Sequence, residues 1–253
     1  MFRKEVSDHR FVTLGIVGVV ALIGIVAILI LVGPSYASEP DDTEPEDAFS
    51  VAMNPERNYL VLVNEDHEYV FGGEYDQALQ PDIIYVSDCD GIPTPVEKGA
   101  YLAFDMLRTD LFQKGFKIEL YSAYRTKEDQ EWVMEHFGNL EDWAEHNTVL
   151  PAGFSEHHTG LMISFVVWWP DETNDGELAW CEETAERQAM YPELDTIRDT
   201  LADYGFIERY PAGKEDVTGV AFEPYELRFV GSSKVAHEIM DNDLCLEEYL
   251  ALE

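Results

Sequence analysis

Cations are scarce in this chain. Sixteen lysines and arginines stand against 51 aspartates and glutamates among 253 residues, a formal net charge of −35. That balance excludes a general phosphate-backbone binder, which needs clustered Lys and Arg to displace counterions, and no nucleic-acid partner is expected. Cysteine is also rare. Cys89, Cys181 and Cys245 permit at most one bridge, which excludes a disulfide-built scaffold. Nothing in the sequence places Cys181 or Cys245 near a base, so cysteine catalysis has no support. There is no G-x-S-x-G elbow, P-loop or C-x-x-C pair, and no internal repeat. Apolar residues are not lacking: 46% of the chain is hydrophobic and 12% aromatic, enough to bury a core and to exclude full disorder.

One apolar run is unusually long. Residues 11–33, FVTLGIVGVVALIGIVAILILVG, carry no charge over 23 positions. At about 1.5 Å per residue such a helix crosses a hydrocarbon core with some tilt. Arg3, Lys4 and Arg10 precede it, and six acids and no base follow within residues 34–50. The positive-inside rule then puts residues 1–10 in the cytoplasm and the chain after the span outside. A cleaved signal peptide is the rival, since Ser35-Tyr36-Ala37 fits a small-x-small cleavage site. A signal h-region is shorter, about 7–15 residues, so the expectation is an uncleaved single-pass anchor. Residues 34–56, Pro-rich and acidic, read as a solvated tether. Residues 57–253 form the outer domain.

That domain mixes helix and strand signals. Tyr59–Val63 and Ile83–Val86 read as short buried strands. Thr94-Pro95-Val96-Glu97 reads as a helix start, with Thr94 as cap, followed by an apolar stripe of Ala103, Leu107 and Leu111 and a stop at Lys114-Gly115. Strands are expected over 116–121, 161–169, 217–221 and 227–230. Helices are expected from the Thr126 cap to Phe137, over 192–204 with Gly205 as the stop, and at the C-terminus. The pattern predicts an α+β fold, an antiparallel sheet with packed helices.

Three stretches carry chemistry. They are Ser122-Ala123-Tyr124-Arg125-Thr126 with Gln130 one turn on, the segment from Gly153 to Ser164 (GFSEHHTGLMIS), and Gly205–Lys214 running into Glu223-Pro224-Tyr225-Glu226-Leu227-Arg228. In this order and spacing the chain resembles the VanY-type D-alanyl-D-alanine carboxypeptidases, zinc peptidases that trim peptidoglycan stem peptides. The resemblance runs from about Leu60 to Leu250. It implies a bacterial envelope location and a stem peptide, or an envelope protein, as partner. The family's second stretch follows S-x-H-x-x-G-x-A-x-D, whose His and Asp bind zinc. Its third contains E-x-W-H, with a zinc-binding His and a Glu as general base. Carried onto this chain, the resemblance makes His157 a metal ligand and Glu223 the base. It makes Arg125, with Ser155 and Gln130, the substrate-binding side, since a guanidinium holds a carboxylate by charge-assisted hydrogen bonds.

The departures fall on the metal. Ser164 stands where the family has Asp, Glu226 where it has the second His, Met162 for Ala and Tyr225 for Trp. A neutral serine hydroxyl is a poor zinc ligand near neutral pH, while Glu226 offers oxygen. His157 and Glu226 together are one ligand short of a usual catalytic site, unless a loop lets the adjacent His158 join. The expectation is therefore a cofactor-poor pseudoenzyme that binds rather than cleaves. An active peptidase with an altered ligand set and a structural envelope protein with a filled cleft are the alternatives. His158 read alone is a surface residue, as are His136 and His146, and Trp168, Trp169, Tyr204 and Phe206 read as core.

Overall fold

The computed structural model describes residues 48–138, 149–168 and 193–252. The expected span over 11–33 and the tether up to residue 47 lie outside the described residues, as do His146, Trp169 and Cys181. No described helix is long and apolar enough to cross a membrane.

Strands β1 (Ile83–Ser87) and β2 (Pro93–Glu97) form an antiparallel pair. Strands β3 (Lys117–Ser122), β4 (Met162–Trp168), β5 (Phe206–Tyr210) and β6 (Glu223–Phe229) form an antiparallel sheet in the order β3-β4-β6-β5. The helices are α1 (Glu74–Leu79), α2 (Lys98–Gln113), α3 (Lys127–His136), α4 (Glu193–Leu201), α5 (Glu215–Thr218), α6 (Ser233–Met240) and α7 (Leu246–Leu250). This is the expected α+β architecture.

One face of the sheet makes the core. Ile118, Leu120, Ile163, Phe165, Val167, Leu227 and Phe229 pack against Ala103, Phe104, Leu107 and Leu111 of α2 and Leu194, Ile197 and Leu201 of α4. The stripes are those the helical period predicted. Helix α2 ends at Gln113 with Lys114 as its cap and Gly115 at φ +96°, and α4 runs through a 3₁₀ turn to Gly205 at φ +71°. Thr126 caps α3 through a reciprocal box with Asp129.

Three sequence expectations fail locally. Residues 94–97 belong to β2, and Glu97, not Thr94, caps α2 by accepting from the Ala100 amide at 2.6 Å. Pairing with β1 overrides the helix-start signal, and Thr94 instead donates its hydroxyl to Asp88 at 3.1 Å. Residues 59–63 are buried or half-buried but form no ladder; the Val61 carbonyl accepts from the Arg228 guanidinium at 2.7 Å instead of from a neighbouring strand. Residues 215–218 are helix α5 rather than the start of a strand over 217–221. Conversely, β5 has all five residues buried, so it shows none of the alternation that marks a half-exposed strand.

Two register irregularities shape the opposite face. Leu120 pairs with Phe165 but Ser122 with Ser164, so two residues of β3 oppose one of β4. This extra residue turns Ser122 away from the face that Ile118 and Leu120 occupy. Glu208 pairs with Leu227 and Tyr210 with Glu223, so four residues of β6 span what two span on β5.

Candidate active site

The site is built on a row of residues across the face opposite the core. Ser122 of β3 pairs with Ser164 of β4, and Ser164 with Glu226 of β6. Directly opposed residues of an antiparallel pair share a face, so the three side chains stand side by side. The Ser164 hydroxyl donates into the Glu226 carboxylate, with its oxygen 2.7 and 2.9 Å from the two carboxylate oxygens.

His157 reaches this row from a 3₁₀ turn over Glu156–Thr159. Its Nε2 lies 3.8 Å from Glu226 Oε2. Its Nδ1 lies 2.5 Å from the Ala123 carbonyl oxygen. A carbonyl only accepts, so Nδ1 carries the hydrogen and Nε2 presents a lone pair when the ring is neutral. Burial and the positive charge of Arg125 push the imidazole pKa down, against an opposing pull from Glu226.

Arg125 is fixed from both sides. Its Nε and Nη2 donate to the Ser122 hydroxyl at 3.3 and 3.1 Å, and its Nη1 to the Gln130 carbonyl at 3.2 Å. Gln130 is buried and donates its amide to the Leu150 carbonyl at 2.7 Å. Both ends of Gln130 are thus engaged in holding Arg125 and the loop at residue 150. The Arg125 main chain donates to the His157 carbonyl at 3.2 Å, which ties the arginine and histidine segments together. Its charge acts on both Glu226 and Glu223.

Glu223 and Glu226 are three residues apart, which strict alternation along a strand would send to opposite faces. Both carboxylates are nevertheless within electrostatic reach of Arg125 and of the buried Tyr210, and the β5–β6 register is irregular between them. Ser155 is buried at the head of the 3₁₀ turn.

His158 is not at the surface and is not available to a metal. It is fully buried, its Nδ1–H donates to the Arg125 carbonyl at 2.8 Å, and its Nε2 accepts from the Gly153 amide at 3.1 Å. The backbone thus occupies both ring nitrogens. His136 is exposed, and Cys245 is buried with a free thiol.

Sequence reasoning missed the ion network beneath the site. Glu156, fully buried, pairs with Arg228 Nε at 2.7 Å and Arg209 Nε at 3.1 Å, both also fully buried. Arg209 continues to Glu247 of α7 at 2.7 Å. The network pins the 3₁₀ turn carrying His157 to β5, β6 and the C-terminal helix. The only signal was an excess of charge at positions flanking the motif residues.

The donors do not amount to the zinc set the resemblance implied. Among the described residues no group of three His, Cys, Asp or Glu side chains is arranged to hold a metal ion. His157 and Glu226 are two donors, and the Ser164 hydroxyl hydrogen bonds to the second of them. Catalytic zinc takes three protein ligands plus water. The residues present do not fit that group.

Comparison with known proteins places this geometry. A model of the VanY D-alanyl-D-alanine carboxypeptidase family matches residues 94–232. A D-alanyl-D-alanine carboxypeptidase of Enterococcus faecalis is 30% identical over 226 residues, covering 80% of this chain and 75% of that protein. The solved structure of the LdcB LD-carboxypeptidase, described as revealing the molecular basis of peptidoglycan recognition, superposes with a TM-score of 0.60 at 29% identity, covering 77% of this chain and 86% of that one. A zinc complex of the D,D-pentapeptidase VanY from a vancomycin-resistance cassette superposes with a TM-score of 0.53 at 25% identity, covering 76% of this chain and 98% of that one.

Proposed function

The chain belongs to the VanY D-alanyl-D-alanine carboxypeptidase family, and on that premise we propose that it is a membrane-anchored, extracytoplasmic member that binds peptidoglycan stem peptides without cleaving them efficiently. The observation that carries this reading is the Ser164–Glu226 hydrogen bond, a serine and a carboxylate bound to each other where the resemblance called for two metal ligands. A donor set that does not hold zinc gives Glu223 no activated water to deprotonate for amide attack. The peptide-binding side is retained: Arg125 is held by Ser122 and Gln130 beside His157, positioned to meet a terminal carboxylate. The anchor rests on the uncharged run over 11–33 and its basic flank.

The test is zinc content and D-alanine release by the purified full chain, with binding of an acyl-D-Ala-D-Ala peptide measured in parallel. Substoichiometric zinc, negligible release and saturable binding are expected. Stoichiometric zinc with rapid release overturns the non-cleaving reading, and absence of binding overturns the peptide-binding one. A C-terminal tag removed by protease added to intact cells supports the outside location, and a protected tag refutes it.

A further inference from the structure

This inference rests on the peptide-binding reading of the cleft and concerns how Arg125 is held in place for its ligand. Consecutive residues of the 3₁₀ turn engage both main-chain polar groups of Arg125. Its N–H donates to the His157 carbonyl at 3.2 Å, a contact that any residue at 157 supplies. Its carbonyl accepts from Nδ1 of His158 at 2.8 Å, a contact that depends on the side chain. The other ring nitrogen of His158, Nε2, accepts from the Gly153 amide at 3.1 Å, so a neutral ring with its hydrogen on Nδ1 serves both bonds. Gly153 stands at φ +96°, and its own carbonyl accepts from the Tyr69 amide at 2.6 Å.

These bonds close a circuit. It runs from the Arg125 guanidinium to the Gln130 carbonyl, from the Gln130 amide to the Leu150 carbonyl, along the chain to Gly153, through His158, and back to the Arg125 main chain. Gln130 and His158 thus tie the two ends of Arg125 to one loop. The His158 ring is fully buried and braced by two aromatic rings, Tyr69 at a centroid distance of 5.5 Å and Phe71 edge-on at 4.8 Å. The Tyr69 hydroxyl donates to Asp76 at 2.9 Å, which fixes that ring in turn, while Phe71 is 36% exposed. We propose that His158, clamped by Tyr69 and Phe71, is a positioning residue for Arg125: it sets the main-chain geometry from which the guanidinium meets the carboxylate of the ligand. The position is an open one in the S-x-H-x-x-G pattern, so the motif does not call for histidine there. What the geometry calls for is one donor and one acceptor on a braced, buried side chain. A charge-assisted hydrogen bond is directional, so an arginine released at its main chain loses that bond before it loses looser contacts.

The experiment compares N-acetyl-D-Ala-D-Ala with its C-terminal amide on the full chain in detergent, by calorimetric titration. The two differ only in the group that meets Arg125, and the acid is expected to bind about tenfold tighter or more, the worth of a charge-assisted hydrogen bond. His158→Leu removes both ring bonds and is expected to reduce that ratio to about threefold or less, because a loosened guanidinium no longer distinguishes the end groups. His158→Gln again offers one donor and one acceptor, and is expected to restore most of the ratio. Phe71→Ala removes one brace at a partly exposed position and is expected to lower the ratio about threefold, which carries the test if His158→Leu fails to fold. A purely structural role weakens both ligands alike and leaves the ratio unchanged. That result, or a glutamine variant no better than the leucine one, overturns the positioning role and leaves the peptide-binding reading intact. Absence of binding by the unaltered chain, or equal binding of acid and amide, overturns the peptide-binding reading and this inference with it.

Discussion

Restoring the two replaced ligand positions is the most direct perturbation of the site. In the double change Ser164→Asp plus Glu226→His, both new side chains inherit a cross-strand pair already on the correct face. Two donors bound to one tetrahedral zinc at about 2.0–2.1 Å are about 3.3 Å apart. His157 Nε2 already lies 3.8 Å from a side-chain atom of residue 226, so a donor placed at that position starts close to ligand spacing. The Ala123 carbonyl already fixes the His157 tautomer with Nε2 available, the arrangement metal-binding histidines need. The single changes have no such return. Ser164→Asp alone sets two carboxylates opposite each other on paired strands, which is destabilising. Glu226→His alone leaves only two imidazoles. Ligands of one ion are coupled, and a coupling of about 1–3 kcal/mol is expected, a gain of roughly 5- to 150-fold in zinc affinity beyond the product of the single changes. Competition with a chromophoric chelator across the four proteins of the cycle measures it. Thermal unfolding with zinc at about 100 times its dissociation constant gives an independent readout, near 2.7 kcal/mol of added stability. Additive single effects, or stoichiometric zinc in the unaltered chain, refute the reasoning about the ligand set.

Glu156→Gln withdraws the carboxylate shared by Arg209 and Arg228, all three fully buried, and is expected to cost about 3–5 kcal/mol in urea unfolding; a loss under about 1 kcal/mol means the network does not carry its charge as drawn. Glu208 is buried with Arg198 beside it, and burial pushes its carboxyl up from 4.5 to about 7. Between those two values the folded chain holds more protons than the unfolded one, so this contribution to stability is present below about pH 4.5 and lost as pH rises to about 7. A rise of 2.5 units corresponds to a loss on the order of 3 kcal/mol, and Glu208→Gln should flatten that slope in urea midpoints compared at pH 5 and 7.5; an unchanged slope refutes the assignment. Gly205→Ala should cost more than about 1 kcal/mol, because Gly205 has φ +71° and an added Cβ meets the Phe49 ring at 2.9 Å; an unchanged unfolding midpoint contradicts it.

Much of the fold was legible because it follows from local rules. The stripe of Ala103, Leu107 and Leu111, the Thr126 cap, the Gly115 and Gly205 stops and the apolar run of β4 are each decided within a few residues of chain. Where the sequence misled, partners outside the segment itself had decided. Residues 94–97 carry a helix-start signal, yet β1 pairs with them and Glu97 takes over the cap. The Val61 carbonyl binds Arg228, 167 positions away, so residues 59–63 need no strand partner. His158 was indistinguishable from a surface histidine until the Arg125 carbonyl and the Gly153 amide closed on both its nitrogens.

The sequence by itself determined the identities at the site: His157, Glu223 and Arg125 with Ser164 and Glu226 at motif positions, and hence a ligand set short of nitrogen. Spacing also put Ser164 on one apolar strand. Side-chain facing is not a property of spacing alone. An extra residue in β3 turned Ser122 toward Arg125, and a longer irregularity in β6 separates the pairing of Glu223 from that of Leu227. Only the tertiary structure decided these, because a register shift depends on which residues of the neighbouring strand compete for the ladder, and a single slipped residue reverses the face that every later side chain presents.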